Sequence, residues 1–309
     1  GDVKKFDEFV EKYNLTGAFL NSVKQHCSEE LLKHLNGSPN WKMVYFDHDA
    51  VIFLKDVTEN KEYIKDLAFD IKHWKVKRLD LKKIGIVDTL PYQNYYRAYE
   101  LEILGLDDLA LEELQDEVLL DPRNTDVYDL MGKIYTKRKD YKKAFEYFRM
   151  SVMWERNNRD RRHNLAMVYG DMGELTYSIR EYNAIINQWP EDPKAYFLLA
   201  RAYVKSFDFR QAVDVLKKGY RFDRQATDDV IRIGDMVFEQ GGFQEAKEIF
   251  ELALESKKDL FTIHRKLGDV YKALGEKEKA KEELNKALQE KYDKPEDIEA
   301  VKKEVLDLG

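Results

Sequence analysis

Apolar positions in this chain recur at a long fixed period. From Pro91 onward, six segments of 34 residues follow one another without insertion or deletion, beginning at Pro91, Thr125, Arg159, Pro193, Thr227 and Phe261. The eighth position of each segment is small: Ala98, Gly132, Ala166, Ala200, Gly234 and Gly268. The twentieth is also small, as Ala110, Ala144, Ser178, Ala212, Ala246 and Ala280. The twenty-fourth is large: Leu114, Phe148, Tyr182, Leu216, Phe250 and Leu284. Small residues at two phases and a bulky one at a third predict two antiparallel helices packed closely, then stacked on a copy of themselves. A stack of that kind offers a surface for holding something rather than a reaction centre.

Ahead of the repeats the spacing changes. Phe6, Phe9, Val10 and Tyr13 predict a helix ending at Asn14, and the run from Thr16 to Asn21 a short strand. Ser28 is placed to cap a helix through Leu35, with Glu29 and Glu30 in its first turn, where a helix favours negative charge. Two β-rich runs, Trp41 to Phe46 and Ala50 to Leu54, flank Asp47-His48-Asp49 and predict a hairpin. Residues 1–57 therefore read as an α-β-α-β-β module, too small to be comfortable alone. Such a module leans on the helices that follow, or on a part of a longer parent protein.

Residues 58–90 turn helical and connect the module to the first repeat. Tyr63, Ile64, Leu67, Ala68 and Ile71 predict one amphipathic face, continued by Trp74, and Val76, Leu79, Leu81 and Ile84 a second before Gly85. The repeats occupy residues 91–294. Over 295–309, Pro295 opens a last helix bearing Ile298, Val301, Val305 and Leu306, expected to close the end of the stack.

Composition narrows the function classes. The chain has 309 residues, 43% hydrophobic and 36% charged, with 52 basic and 59 acidic side chains mixed along it. A net charge of −7 and the absence of a basic stripe argue against a nucleic-acid partner. No run of about 18 apolar residues predicts a membrane span. Gly1-Asp2 in place of an initiating Met reads as an excised piece of a longer protein. Cys27 is the single cysteine, which excludes an intrachain disulfide and a cysteine-rich zinc site.

The helix pairs resemble tetratricopeptide repeats. The copy at Thr125 places Tyr128, Met131, Gly132, Tyr135, Tyr141, Ala144 and Phe148 at that family's signature positions. The copies at Thr227 and Phe261 are nearly as complete, and the family's helix-ending proline stands at Pro122 and Pro190. The resemblance implies a mainly α fold: a right-handed α-solenoid of six 34-residue helix pairs, with a small N-terminal α/β module and a C-terminal capping helix. It also implies a non-catalytic scaffold that binds a protein or an extended peptide in its concave groove.

A second resemblance concerns the N-terminal module alone. The run Phe9-Val10-Glu11-Lys12-Tyr13-Asn14, the following strand, and the stretches 40–47 and 50–55 look like the soluble C-terminal tail of bacterial polytopic membrane proteins related to lipid-linked-sugar glycosyltransferases. That likeness covers some 50 residues and no catalytic motif. It implies a different role: an extracytoplasmic accessory domain of a membrane glycosyltransferase that positions an acceptor or assembles a complex. The tether would then lie in upstream sequence. Without it, the chain reads as cytoplasmic. A third reading is a homo-oligomer formed through open solenoid or hairpin edges.

In the tetratricopeptide resemblance, positions 2, 5, 9, 12 and 13 of each copy face the groove. The candidate partner-binding residues are then Tyr92, Tyr95 and Tyr99 in the first copy, Lys133 and Lys137 in the second, and His163 in the third. The fourth contributes Lys194, Phe197, Arg201 and Lys205. Tyrosines beside Lys and Arg suit an extended segment with an acidic or carboxylate element. For Tyr92 and Tyr95, packing beneath the preceding helix stays open as the alternative. The two-carboxylate clamp of chaperone-binding relatives is matched by Asn164 and Lys194 only, with Asp129, Lys133 and Leu198 at the other positions, which argues against it.

Other chemistry is sparse. Adjacent residues of a tight turn cannot all converge on one ion, so Asp47-His48-Asp49 reads as a turn, not a metal site. No nucleophile is placed beside His163 by the repeat. No phosphate loop, dinucleotide glycine motif or metalloprotease pair occurs, so neither cofactor nor catalysis is expected.

Overall fold

The structure, a computed structural model, describes residues 3–21, 29–75, 92–290, 292 and 294–308. The chain divides into two compact units, Gly1–Arg156 and Asn157–Gly309. In the first, the predicted module appears as α1 (Val3–Tyr13), β1 (Gly17–Asn21), α2 (Glu29–Gly37), β2 (Trp41–Phe46) and β3 (Ala50–Lys55). The strands form one antiparallel sheet in the order β1-β3-β2. Along β2 the inward residues are Trp41, Met43 and then Phe46, an odd step that would throw Phe46 onto the wrong face. A bulge between Met43 and Tyr45 absorbs the extra residue and returns Phe46 to the core. The buried Asn60 amide donates to the carbonyls of Thr16 (2.8 Å) and Lys55 (2.9 Å), tying the strand ends together.

The module has no core of its own. Val10, Leu32, Leu35, Trp41, Val51 and Phe53 belong to one apolar cluster with Ala98, Leu101, Leu114, Val127 and Ile134 from the helices that follow. Arg97 adds a polar tie. It donates to both oxygens of Glu113 at 3.0 and 2.9 Å and to Asp47 Oδ1, in the hairpin turn, at 3.3 Å.

The connecting segment corrects the expected single face. The helix α3 (Lys61–Leu67) stops at Ala68, whose ψ of 137° is extended. The amide of Phe69 then donates to the carbonyl of Met43 at 3.2 Å, drawing the chain alongside β2. Tyr63 and Leu67 are consequently exposed, whereas Ile71 is buried in a following 3₁₀ turn and Trp74 meets Phe46 edge-on. A rotation has been lost between the two halves of the predicted face. The cap at Ser28, Cys27, the stretch from Val76 to Gly85 and Pro91 lie outside the described residues.

Twelve helices follow as six consecutive pairs. In the first unit they are α4 (Gln93–Ile103) with α5 (Asp107–Leu120), and α6 (Thr125–Lys137) with α7 (Tyr141–Trp154). In the second they are α8 (Arg159–Asp171) with α9 (Leu175–Gln188), and α10 (Pro193–Lys205) with α11 (Phe209–Phe222). Then come α12 (Thr227–Glu239) with α13 (Phe243–Leu254), and α14 (Leu260–Ala273) with α15 (Lys277–Gln289). The last helix, α16 (Pro295–Asp307), buries Val301 against Phe261, Leu284 and Ala287. Leu306, expected on that buried face, is exposed, and Leu308 packs there instead.

The period has a direct physical cause. A Cβ built on Gly132 would stand 2.5 Å from the Phe148 ring, one on Gly234 2.6 Å from Phe250, and one on Gly268 2.7 Å from Leu284. Position 8 is therefore small because position 24 of the partner helix occupies the space. Position 20 closes the same contact: its alanines are fully buried, and the Ser178 hydroxyl donates to the Ala166 carbonyl at 2.7 Å. In the second and fourth copies the Tyr128 and Tyr196 hydroxyls donate to the carbonyls of Pro122 and Pro190, at 2.8 and 2.9 Å.

Gly234→Ala should destabilise the second unit by about 1–3 kcal/mol, the usual cost of overpacking a filled core. Adding Phe250→Leu should recover part of that loss. Urea denaturation of the three proteins checks both; a neutral Gly234→Ala would refute the account of the period.

Candidate functional site

The sequence brings most of the candidate residues of the second unit onto one face of α10. Lys194, Phe197, Leu198, Arg201 and Lys205 fall at spacings of three and four, which places them on one stripe of a helix. The small residues Ala195, Ala200 and Ala202 are buried, toward neighbouring helices. Along that stripe Lys194, Arg201 and Lys205 are exposed, Leu198 is half-buried and Phe197 is buried.

Two cavities share it. The larger, about 480 Å³, lies between α10 and α12. Phe197, Leu198, Ile233 and Met236 give it apolar walls, and Lys194, Arg201, Asp229, Arg232, Asp235 and Glu239 line it with charge. The smaller, about 110 Å³, opens on the other flank of α10, between Met167, Gly170 and Asp171 of α8, Ser178 and Tyr182 of α9, and Lys205. Leu198 and Arg201 line both.

The charges are unequally occupied. Asp235 is held by Lys266 at 2.8 Å, and Arg232 by Asp229 at 3.3 Å. Lys205 leans back to Asp171 Oδ1 and the Gly170 carbonyl, both at 3.4 Å. Arg201 and Lys194 are exposed and make no ion pair among the described residues. Burial pushes the Tyr182 phenol above its ordinary range, with the nearby Arg201 charge acting in the opposite direction. A guanidinium has the planar, five-donor geometry that matches a carboxylate or another planar anion.

His163 is a correction. It lines neither cavity: only 2% of it is exposed, and its Nε2 lies 2.7 Å from Asp192 Oδ2. Asp192 stands at the N-cap of α10, but its side chain makes no capping bond to that helix. The ring packs near Tyr182, with Lys194 and Asp160 contributing to its electrostatic surroundings. Burial holds its pKa below the usual histidine value and Lys194 adds to that, against the opposing pull of Asp192 and Asp160.

The first-unit candidates have other partners. Tyr95 and Tyr99 stack at 6.4 Å and pack on the apolar cluster, and the Tyr99 hydroxyl donates to Glu29 of α2 at 3.2 Å. Burial raises the Tyr95 phenol well above its ordinary value, with Asp126 and Asp129 adding to it. Tyr92 is partly exposed, in a left-handed conformation at φ 74°, and its amide donates to Glu117 at 3.2 Å. Lys137 is taken up by Asp107 at 3.0 Å and Glu102 at 3.4 Å. Lys133 is exposed. In the turn Asp47-His48-Asp49 the imidazole sits between the two carboxylates, 2.8 Å from Asp47 and 3.3 Å from Asp49. No group of three metal-ligating side chains occurs among the described residues.

The candidate residues read from the sequence stop at the fourth copy, so the α12 wall in the fifth was not among them. The groove residues on α10 stand at positions 2, 5, 9 and 13; α12 contributes Asp235 and Glu239 at positions 9 and 13, together with Asp229, Arg232, Ile233 and Met236 at positions 3, 6, 7 and 10. The position rule extended to the fifth copy names Asp235 and Glu239, but not the flank of α12 that carries Asp229, Arg232, Ile233 and Met236. For the first two the register itself contained the signal.

A tetratricopeptide-repeat sequence model matches residues 125–158, 193–225 and 266–293. These segments are tetratricopeptide repeats. Among solved structures, the C-terminal part of a repeat-containing protein from Cytophaga hutchinsonii is 17% identical, with a TM-score of 0.53, over 68% of this chain and 87% of that one. A tetratricopeptide repeat protein from Parabacteroides merdae is 20% identical over 70% of this chain and 96% of that one, with a TM-score of 0.47. YrrB, described as a repeat protein with an unusual peptide-binding site, is 16% identical over 55% and 88%, with a TM-score of 0.45. At such identities the likeness of the first shows a repeat fold and nothing further. No curated protein sequence matches the chain. The matched repeats begin at residue 125, so the likeness of the N-terminal module to membrane-glycosyltransferase tails rests on its sequence alone.

The buried histidine leads to a prediction for acid sensitivity. The unfolded chain takes up a proton near pH 6.5, while the folded chain resists it until lower pH. Stability from this group is therefore full above about pH 6.5 and declines as pH falls from there toward the folded pKa. Between pH 7.5 and 5.5 the wild type should lose stability with a slope of up to ~1.4 kcal/mol per pH unit that His163→Gln lacks. Urea midpoints across that range check it; parallel slopes would exclude His163 as the source.

Proposed function

We propose that this protein is a non-catalytic scaffold that holds an extended peptide or protein segment along α8, α10 and α12 of its second unit. The observation that supports this reading is Arg201: exposed, without an ion pair, and lining both cavities. A space of about 480 Å³ lies within the size range of ligand pockets. Its walls of Phe197, Leu198, Ile233 and Met236 suit an aliphatic side chain, and a carboxylate of the same segment pairs with Arg201. Met236 adds a wall that adapts to side chains of different shape. The accessory role beside a membrane glycosyltransferase draws only on the N-terminal sequence, and no feature of this groove favours it. No helix among the described residues is long and apolar enough to cross a membrane.

Fluorescein-labelled decapeptides of serine and glycine, carrying one leucine and one glutamate at varied separation, provide the test by anisotropy titration. Arg201→Ala should weaken the best of them by about 1.5–3 kcal/mol, the range for a hydrogen bond to a charged group. Lys194→Ala, which removes a flexible rim charge, should cost about 1 kcal/mol or less and lose its effect at high salt. Equal affinities for wild type and Arg201→Ala would dismiss the groove.

A further inference from the structure

One position of the repeat departs from the others beside this groove. Position 15, in the turn between the two helices of each pair, is left-handed in all six copies: Gly105, Lys139, Gly173, Phe207, Gly241 and Gly275 have φ between 60° and 86°. Glycine adopts that conformation without steric cost, and a bulky side chain does so against a clash of its Cβ with the backbone. Phe207 is in it at φ 61°. Its ring does not go into the core, where burial would offset the strain. It is 69% exposed.

The turn already has the aromatic ring that packing requires. Phe209, two residues later, lies so close to Gly242 that a Cβ there would meet it at 2.6 Å. Phe207 touches only the edge of that ring, with centroids 6.1 Å apart. Lone exposed apolar residues are ordinary on protein surfaces and need no explanation. A phenylalanine that is both exposed and backbone-strained, where four of six equivalent turns use glycine, has no structural compensation.

Its location supplies one. Lys205, which lines the smaller cavity, precedes Phe207 by two residues, a separation of at most about 7 Å along the chain. Arg201 lies one helical turn before Lys205, or roughly 6 Å. A segment with a carboxylate on Arg201 that continues past Lys205 therefore reaches Phe207 after about four extended residues at ~3.3 Å each. We propose that Phe207 is the edge anchor of the groove, selecting segments that carry an aromatic or large aliphatic side chain about four residues from the acid that pairs with Arg201. This rests on the groove reading above and adds a specificity to it. Lys205 between the two contacts disfavours a basic residue in the intervening stretch.

The test uses the full chain and labelled decapeptides of serine and glycine carrying leucine and glutamate. Phenylalanine is placed two or four residues from the glutamate on either side, or omitted. Wild type should prefer a four-residue spacing. Phe207→Gly should lose about tenfold in affinity for that peptide and bind the phenylalanine-free peptide as wild type does. It should also melt roughly 2–4 °C higher, because glycine relieves the strained turn. Retained affinity in Phe207→Gly, with Arg201→Ala weakened, would overturn the anchor and leave the groove intact. A lower melting temperature for Phe207→Gly would make Phe207 a packing residue and overturn the anchor too. Absence of measurable binding by wild type to any of these peptides, or indifference to both variants, would dismiss anchor and groove together.

Discussion

The structure depends on one close contact, repeated: position 8 of a first helix against position 24 of its partner. Where that position is glycine, the facing ring or leucine stands within 2.7 Å of where a Cβ would be, so the helices approach as nearly as their backbones permit. Alanine or serine at position 20 seals the same interface from the other helix. Because this contact takes up one side of each first helix, and the adjoining pairs cover others, a narrow stripe remains open. On α10 its exposed part is Lys194, Arg201 and Lys205, with Leu198 half-buried and Phe197 buried between them. The groove is thus what the packing rule leaves over.

This explains why the fold was legible and parts of the site were not. A rule that every copy must obey leaves its mark six times, so Ala98, Gly132 and Gly234 announce the register without any structure. The hairpin was legible for a related reason, since alternation and a turn are local properties. The break at Ala68 was not, because it depends on a hydrogen bond from Phe69 to Met43, a residue distant in sequence. The burial of His163 escaped likewise: its partner Asp192 belongs to the connection leading into the next copy, and a position rule within one copy does not see it. The α12 wall was left out because the candidate residues ended with the fourth copy, and of its lining only Asp235 and Glu239 follow the position rule.

The polar ties inside each unit have a different character from its apolar packing. Arg97 grips Glu113 with two parallel hydrogen bonds and reaches the hairpin turn at Asp47. Glu113 is almost fully buried, so removing either partner would leave a charge without compensation, a loss of several kcal/mol, even though the intact pair adds little over an apolar one. Such a tie fixes how the small sheet docks on α4 and α5 rather than how strongly. The apolar cluster that runs from Val10 to Ile134 provides the strength. Specificity and affinity of docking come from separate residues.

The same separation governs the groove, where departures from the repeat carry more than agreement with it. Lys139 and Phe207 share the left-handed turn position, yet only Phe207 adds an exposed ring to the backbone strain. A lysine there costs conformational energy and keeps its charge in water, which suits a solvated turn. The phenylalanine costs that energy and hydrates an apolar surface as well, two penalties that folding alone does not offset. Residues that break a local rule without a compensating contact are expected where function requires them. Arg201 fits the same logic in electrostatic form: it has no ion pair among the described residues, although Asp235 and Asp229 of the same cavity are held by Lys266 and Arg232. Both residues stand on α10 or the turn that ends it, six positions apart, a distance that the proposed extended segment would span.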